Sequence, residues 1–340
     1  MLVGPTQIRR VSPVPRSKAT GLTAAVYDQM ERDFGLVAPP VALHAASPGV
    51  LAATWTLLRE TLVAGRAGRL AKESVATGVS QGNACGYCTE IHGAAVGLLS
   101  DGPTGSPLTR WARSTAGPGR PGPPPCEDAD LPEILGTAVA FHYLNRMVEI
   151  FLSPTAVPRA APAAGRRAVL RVLTGAMVRD TPAAVRGDSA ELLPGAALPR
   201  EFGWADAEPT VAAGLARAAA AIDDAAAWLP APVRAAVVAE VTRRAGAPPP
   251  LGRSWLADAT SGLPGADGPA ARLILLTALA APQVGTDDLT AFRARYPSDA
   301  RLVEATAWGA LTAARDVAAR FSGPTTAGPA AAAPDSTPSF

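Results

Sequence analysis

Cysteine and histidine are scarce, with three of each among 340 residues. So few cysteines cannot build the disulfide framework that holds small secreted folds together. Aromatic residues make up 5% of the chain, and methionine occupies four positions. No charge of one sign dominates: 31 Lys and Arg against 29 Asp and Glu give a net charge of +2. That balance points to neither nucleic acid nor a membrane surface as a partner. No uncharged apolar run reaches the ~18 residues of a membrane-spanning helix. The alanine-rich stretch 211–229 is interrupted by Arg217, Asp223 and Asp224. Residues 1–19 lack the continuous apolar core of a signal peptide. Period-2 alternation of β-branched residues is almost absent, so the chain reads as all-α. A soluble cytoplasmic protein is the expectation.

What is abundant is hydrophobic content, at 48%, together with 34 prolines and 32 glycines. Those two types usually supply about 12% of a chain, so long irregular segments are expected between helices. Periodicity and end signals predict helices over 47–64, 68–78, 84–99 and 132–152, and a shorter one over 167–178. Further helices are predicted over 210–229, 231–245, 269–281, 286–296 and 299–321. Residues 1–35 read as a loose N-terminal arm. Residues 101–130, dense in proline and glycine, read as a mobile loop without regular structure. Segment 187–204 reads as irregular, and 322–340 as a disordered tail. The resulting division is a motif-bearing helical region over 36–152 and a second helical region over 153–321.

One stretch carries chemistry. Glu73 is followed twelve residues later by Cys85, then Cys88 and His92, giving a C-x-x-C with an imidazole four residues on. Gln81-Gly82-Asn83 reads as a loop ending in an N-cap, since an Asn side chain accepts an orphan backbone N–H. A helix from Ala84 then places positions 85, 88 and 92 on one face, with Cys88 and His92 able to touch. Cysteine reacts as the thiolate, and helix N-termini, a nearby His⁺ and a C-x-x-C each lower its pKa. By the helix dipole alone, Cys85 is the better thiolate. Glu73, on the preceding helix, is placed to orient His92 or pass its proton on.

This pattern resembles the alkylhydroperoxidase D and carboxymuconolactone decarboxylase superfamily. The resemblance rests on Glu73, Cys85, Cys88 and His92 and on the flanks 40–46, 51–60 and 141–147, and covers about residues 36–152. A weaker, cysteine-free continuation spans 272–321. The resemblance implies an all-α AhpD-like helical bundle with a motif-bearing half and a related second half. It also implies a thiol-dependent peroxidase with a Cys85–Cys88 redox disulfide. In it Cys88 attacks peroxide, Cys85 donates a proton and resolves, and His92 with Glu73 relays protons. A thiol or lipoyl-type protein reductant and a homo-oligomer follow by the same resemblance. Tyr87 departs from the best-known branch, which has histidine there. No flavin, haem or nicotinamide site is visible, and no cofactor is expected.

Blander readings stand beside this one. The C-x-x-C, His92 and Cys126 are types that bind zinc, and free cysteines are common core residues. The alternative function is a non-enzymatic redox or metal-sensing protein of the same fold. His142 reads as a satisfied histidine before it reads as a site residue, His44 as structural, and Tyr87 as packing. Glu73 alone would pass for a solvated helix residue.

Overall fold

The computed structural model describes residues 7–100, 105–157, 162–178 and 184–321. Among these residues every regular element is helical. The predicted tail lies outside them. None of the described helices is long and apolar enough to cross a membrane.

Two long helices form the axis, α7 (Leu131–Phe151) and α14 (Asp299–Phe321), and they pack on each other. Helix α7 carries Pro132 in its first turn, where the fixed φ of proline fits. Its apolar residues Ile134, Leu135, Ala138, Phe141, Leu144 and Val148 are all buried. Before α7 come α1 (Gly21–Phe34), α2 (Pro39–Ala42), α3 (Pro48–Leu58), α4 (Arg69–Gly82), α5 (Gly86–Leu99) and α6 (Pro107–Ser114) in chain order. Helix α4 packs against α5, α6 and α7, so it lies at the centre of the N-terminal half. Then follow α8 (Ala163–Met177), α9 (Pro209–Ala225), α10 (Ala231–Arg244), α11 (Trp255–Thr260), α12 (Gly268–Ala280) and α13 (Thr286–Arg293). Helix α8 covers α5, α9 packs on α3, and α12 and α10 complete the α14 side.

The seat of α4 is set by a buried ion pair. Lys72 Nζ meets Glu133 of α7 at 2.5 Å and also donates to the Ala64 carbonyl at 2.6 Å. Glu133 in turn accepts from the backbone N–H groups of Arg66 and Ala67. Gly65 makes this possible: its φ is +119°, and a Cβ there would stand 2.2 Å from the Glu133 carboxylate. On the other side, Gly78 lets α6 approach so closely that a Cβ would be 2.3 Å from the Thr109 carbonyl oxygen. Position 73 on α4 is thereby fixed from both sides, at full depth in the bundle.

Several expectations need correction. The arm 1–35 contains α1, whose Val26, Tyr27, Met30 and Phe34 are buried. The Pro/Gly segment 101–130 contains α6, which starts at Pro107 with the Ser106 hydroxyl accepting from the Thr109 N–H at 3.1 Å. Helix 47–64 ends its α-helical part at Leu58 and continues as a π-helical turn, Arg59–Val63. That turn buries Arg59 and Glu60. Asp33 of α1 accepts from Arg59, and Glu60 accepts from Arg59, Gly187 and Ser189. Helix 68–78 runs on through Gly78 to Gly82. The irregular segment 187–204 holds two short 3-10 helices, Asp188–Leu192 and Arg200–Ala205.

Candidate active site

Helix α4 ends at Gly82 with Asn83 as its C-cap, and Ala84 turns the chain with φ +55°. The left-handed region costs an L-residue about 1 kcal/mol or more, and this strain sits directly before Cys85. The cysteine, with φ −80° and ψ 99°, is the N-cap of α5. The expected cap, Asn83, does not serve: its side chain donates to Asn145 Oδ1 at 2.9 Å and meets His142 Nδ1 at 3.2 Å. The helix therefore begins two residues later than predicted. Cys85, standing off the helix, does not share the outlook of Cys88 and His92. Those two line a narrow apolar pocket of about 50 Å³, walled by Phe34, Val41, Leu58, Phe141 and Leu173 among others. Cys85 does not line it and has no exposure at all.

Glu73 and His92 meet as the spacing suggested. Glu73 Oε2 lies 2.6 Å from His92 Nδ1, and Oε1 accepts from Arg69 Nε at 2.8 Å. A carboxylate only accepts, so Nδ1 carries the hydrogen and Nε2 is left for the pocket. The Phe141 ring meets the imidazole edge-on at 4.6 Å and holds its plane. Burial alone would push the Glu73 carboxyl up, but Arg69 and His92 outweigh it and hold it down at about 2. The carboxylate is thus charged in a site with no exposure, a cost that only its two cationic or donor partners offset.

The two sulfurs differ. The neighbouring Cys88 thiol and burial push the Cys85 thiol pKa well above the usual cysteine range. Its negative neighbours act in the same direction. The helix dipole, which favours a thiolate at position 85, is outweighed here. Tyr87 is buried and donates from its hydroxyl to Gln7 Oε1 at 2.9 Å, while its ring also borders the apolar pocket. Burial raises its pKa, so it stays a neutral phenol and offers no base in place of histidine.

The other candidates are accounted for by local partners. His142 is fully buried between Thr115 Oγ1, at 2.9 Å, and Asn83, and burial keeps it neutral. His44 is held by the Val41 carbonyl at 3.0 Å and the Tyr143 hydroxyl at 2.9 Å, and burial lowers its pKa to about 4. Cys126 packs at the core's edge. Among the described residues no three of His, Cys, Asp and Glu group so as to hold a metal ion, and the zinc arrangement with Cys126 is therefore not formed. Sequence reasoning missed Arg69, although its place four residues before Glu73 was a readable helix-pair signal.

A small all-α bundle with a C-x-x-C at a helix start, backed by a buried Glu–His pair, defines a class. No family model matches the chain. The chain is, however, 34% identical over 328 residues to an alkyl hydroperoxide reductase of Mycobacterium tuberculosis, a match covering 91% of this chain and 94% of that one. It belongs to the AhpD-like alkyl hydroperoxide reductase family, within the alkylhydroperoxidase D and carboxymuconolactone decarboxylase superfamily.

Proposed function

We propose that this protein reduces hydroperoxides to alcohols through the Cys85–Cys88 pair. The Cys88 thiolate attacks the outer peroxide oxygen, and the O–O bond breaks. The departing alkoxide takes from His92 Nε2 the proton that the Cys88 thiol gave up to it, and Glu73 balances the imidazolium formed in between. Cys88 is left as a sulfenic acid, and Cys85 displaces its hydroxyl to form the disulfide and water. A dithiol reductant, of the thiol or lipoyl-protein kind, then resets the pair by exchange. The observation that carries this reading is the 2.6 Å contact between Glu73 and His92, with His92 and Cys88 on one pocket wall. The name of the mycobacterial relative supports it, and the apolar wall suits the carbon end of an organic hydroperoxide. A homo-oligomer in the cytoplasm is part of the same proposal.

The test is turnover. Purified protein is mixed with cumene hydroperoxide and with dithiothreitol, dihydrolipoamide or a lipoylated carrier protein in turn, and residual peroxide is measured. At least one dithiol should support many turnovers per protein. Peroxide loss no faster than in protein-free controls, with every reductant, would overturn the reading.

A further inference from the structure

An arginine withdrawn from solvent normally meets a carboxylate, because a buried charge without a counter-charge is costly. Part-buried Arg146 on α7 departs from this rule. Its Nε donates to the Ala278 carbonyl at 2.8 Å and its Nη1 to the His142 carbonyl at 2.6 Å. Both partners are neutral oxygens, and among the described residues no carboxylate pairs with it. Arg320 on α14 is held in the same way. Its Nη1 donates to the carbonyls of Gly117 and Gly119 at 2.7 and 2.8 Å, and its Nη2 to that of Thr115 at 3.4 Å. Its Nε is buried without a hydrogen-bond partner, and Asp316 stays 3.5 Å away. Carbonyl oxygens orient a guanidinium but leave its charge in place. Burial, and then Arg320, pull the Arg146 guanidinium down to about 10, which Asp316 only partly offsets.

Both guanidiniums line a cleft of about 550 Å³ between α7, α10, α12 and α14, within the size range of small-molecule sites. Arg113, near the end of α6, lines it as well. Three guanidiniums therefore share this wall with two carboxylates, Glu149 and Asp316, while burial keeps His142 neutral. The rest of the wall is mainly apolar and includes Val241, Pro248, Leu279 and Val317. Gly246 makes room for Arg320: its φ is +84°, and a Cβ there would stand 2.7 Å from Arg320 Nη1. The cleft shares no lining residue with the narrow pocket of Cys88 and His92.

We propose that this cleft binds an organic monocarboxylate, with its head group at Arg146 and Arg320 and its apolar body along Val241, Leu279 and Val317. The uncompensated positive charge sets the head group. A carboxylate is planar and offers two acceptor oxygens, which suits the guanidinium fork. The apolar wall sets the body, since a bare inorganic anion would gain nothing from that surface. The guanidiniums are already anchored by carbonyls, so little ordering is lost on binding. This site stands independently of the redox role of the Cys85–Cys88 pair.

The experiment is isothermal titration of the full chain with octanoate, 4-phenylbutyrate, 1-octanol and inorganic phosphate. At least one of the two carboxylates should bind at one site per chain. Octanol keeps the body without the charge, and phosphate the charge without the body. Each should bind about tenfold more weakly or worse, the scale of one charge-assisted hydrogen bond. Arg146→Gln should weaken carboxylate binding by a similar factor, and Arg146→Lys should recover part of it. Leu279→Trp, at a half-buried position, should block the body and weaken binding as well. No binding of either carboxylate at millimolar concentration would overturn the proposal. So would wild-type affinity in folded R146Q, which would place the carboxylate elsewhere. Should R146Q not fold, L279W decides, and unchanged affinity there refutes the site.

Discussion

Cys88→Ser should slow the reaction with hydroperoxide by at least about 10³-fold, the order expected on losing a nucleophile. Cys85→Ser should keep the first step and stall at a sulfenic acid on position 88. The physical ground is the asymmetry between the sulfurs. Cys85 is dry, and its thiol is pushed up by Cys88 and by burial, so it is a poor attacking group at neutral pH. Cys88 opens on the apolar pocket beside His92. One equivalent of cumene hydroperoxide with a sulfenic-acid probe, followed by mass mapping, reads both variants. A label on position 85 in Cys88→Ser, formed at the wild-type rate, would reverse the roles and restore the helix-dipole argument.

Glu73→Gln and His92→Asn should each slow peroxide-driven oxidation by about 10²-fold or more, as for a lost acid–base group. The double variant should be little worse than the poorer single, because both residues act on one proton. The pH dependence follows from the Glu73 carboxyl, whose pKa is held at about 2 against an ordinary 4.5. A depressed carboxylate stabilises the fold fully above the ordinary value, and that contribution is lost as pH falls through the folded one. Wild-type stability should therefore decline between pH 4.5 and about 2, and less steeply in Glu73→Gln. Across pH 5–9 Glu73 stays charged and should add no limb to the rate profile. Stopped-flow rates for the four proteins, with circular dichroism at each pH, read both effects. Wild-type rates in both folded single variants would leave a reactive dithiol without a relay.

The all-α class and most helix positions were legible because apolar periodicity and proline or glycine ends are local signals. Helix α14 was predicted over the same residues, 299–321, that it occupies. Helix α6 was hidden by composition, although Ser106-Pro107 is a sound start signature. Its short length let the surrounding prolines decide the reading. Helix α1 shows the same bias, since Val26, Met30 and Phe34 recur at helical spacing.

At the site, the pairing of Glu73 with His92 was visible through family spacing. The position of Cys85 was not. Asn83 has a strong intrinsic preference for an N-cap, but bonds to His142 and Asn145 from α7 take its side chain. Ala84 absorbs the turn, and the cap passes to the cysteine. The dipole argument for Cys85 counts the helix and ignores the depth at which the helix begins.

The central claim is that Cys85 and Cys88 form one redox pair. Its most direct test is peptide mapping under non-reducing conditions, after the reduced protein has met one equivalent of hydroperoxide and free thiols have been alkylated. The account predicts a single peptide holding the Cys85–Cys88 disulfide, with Cys126 alkylated. A bridge from Cys126 to either cysteine, or three alkylated thiols after the peroxide is consumed, would contradict it.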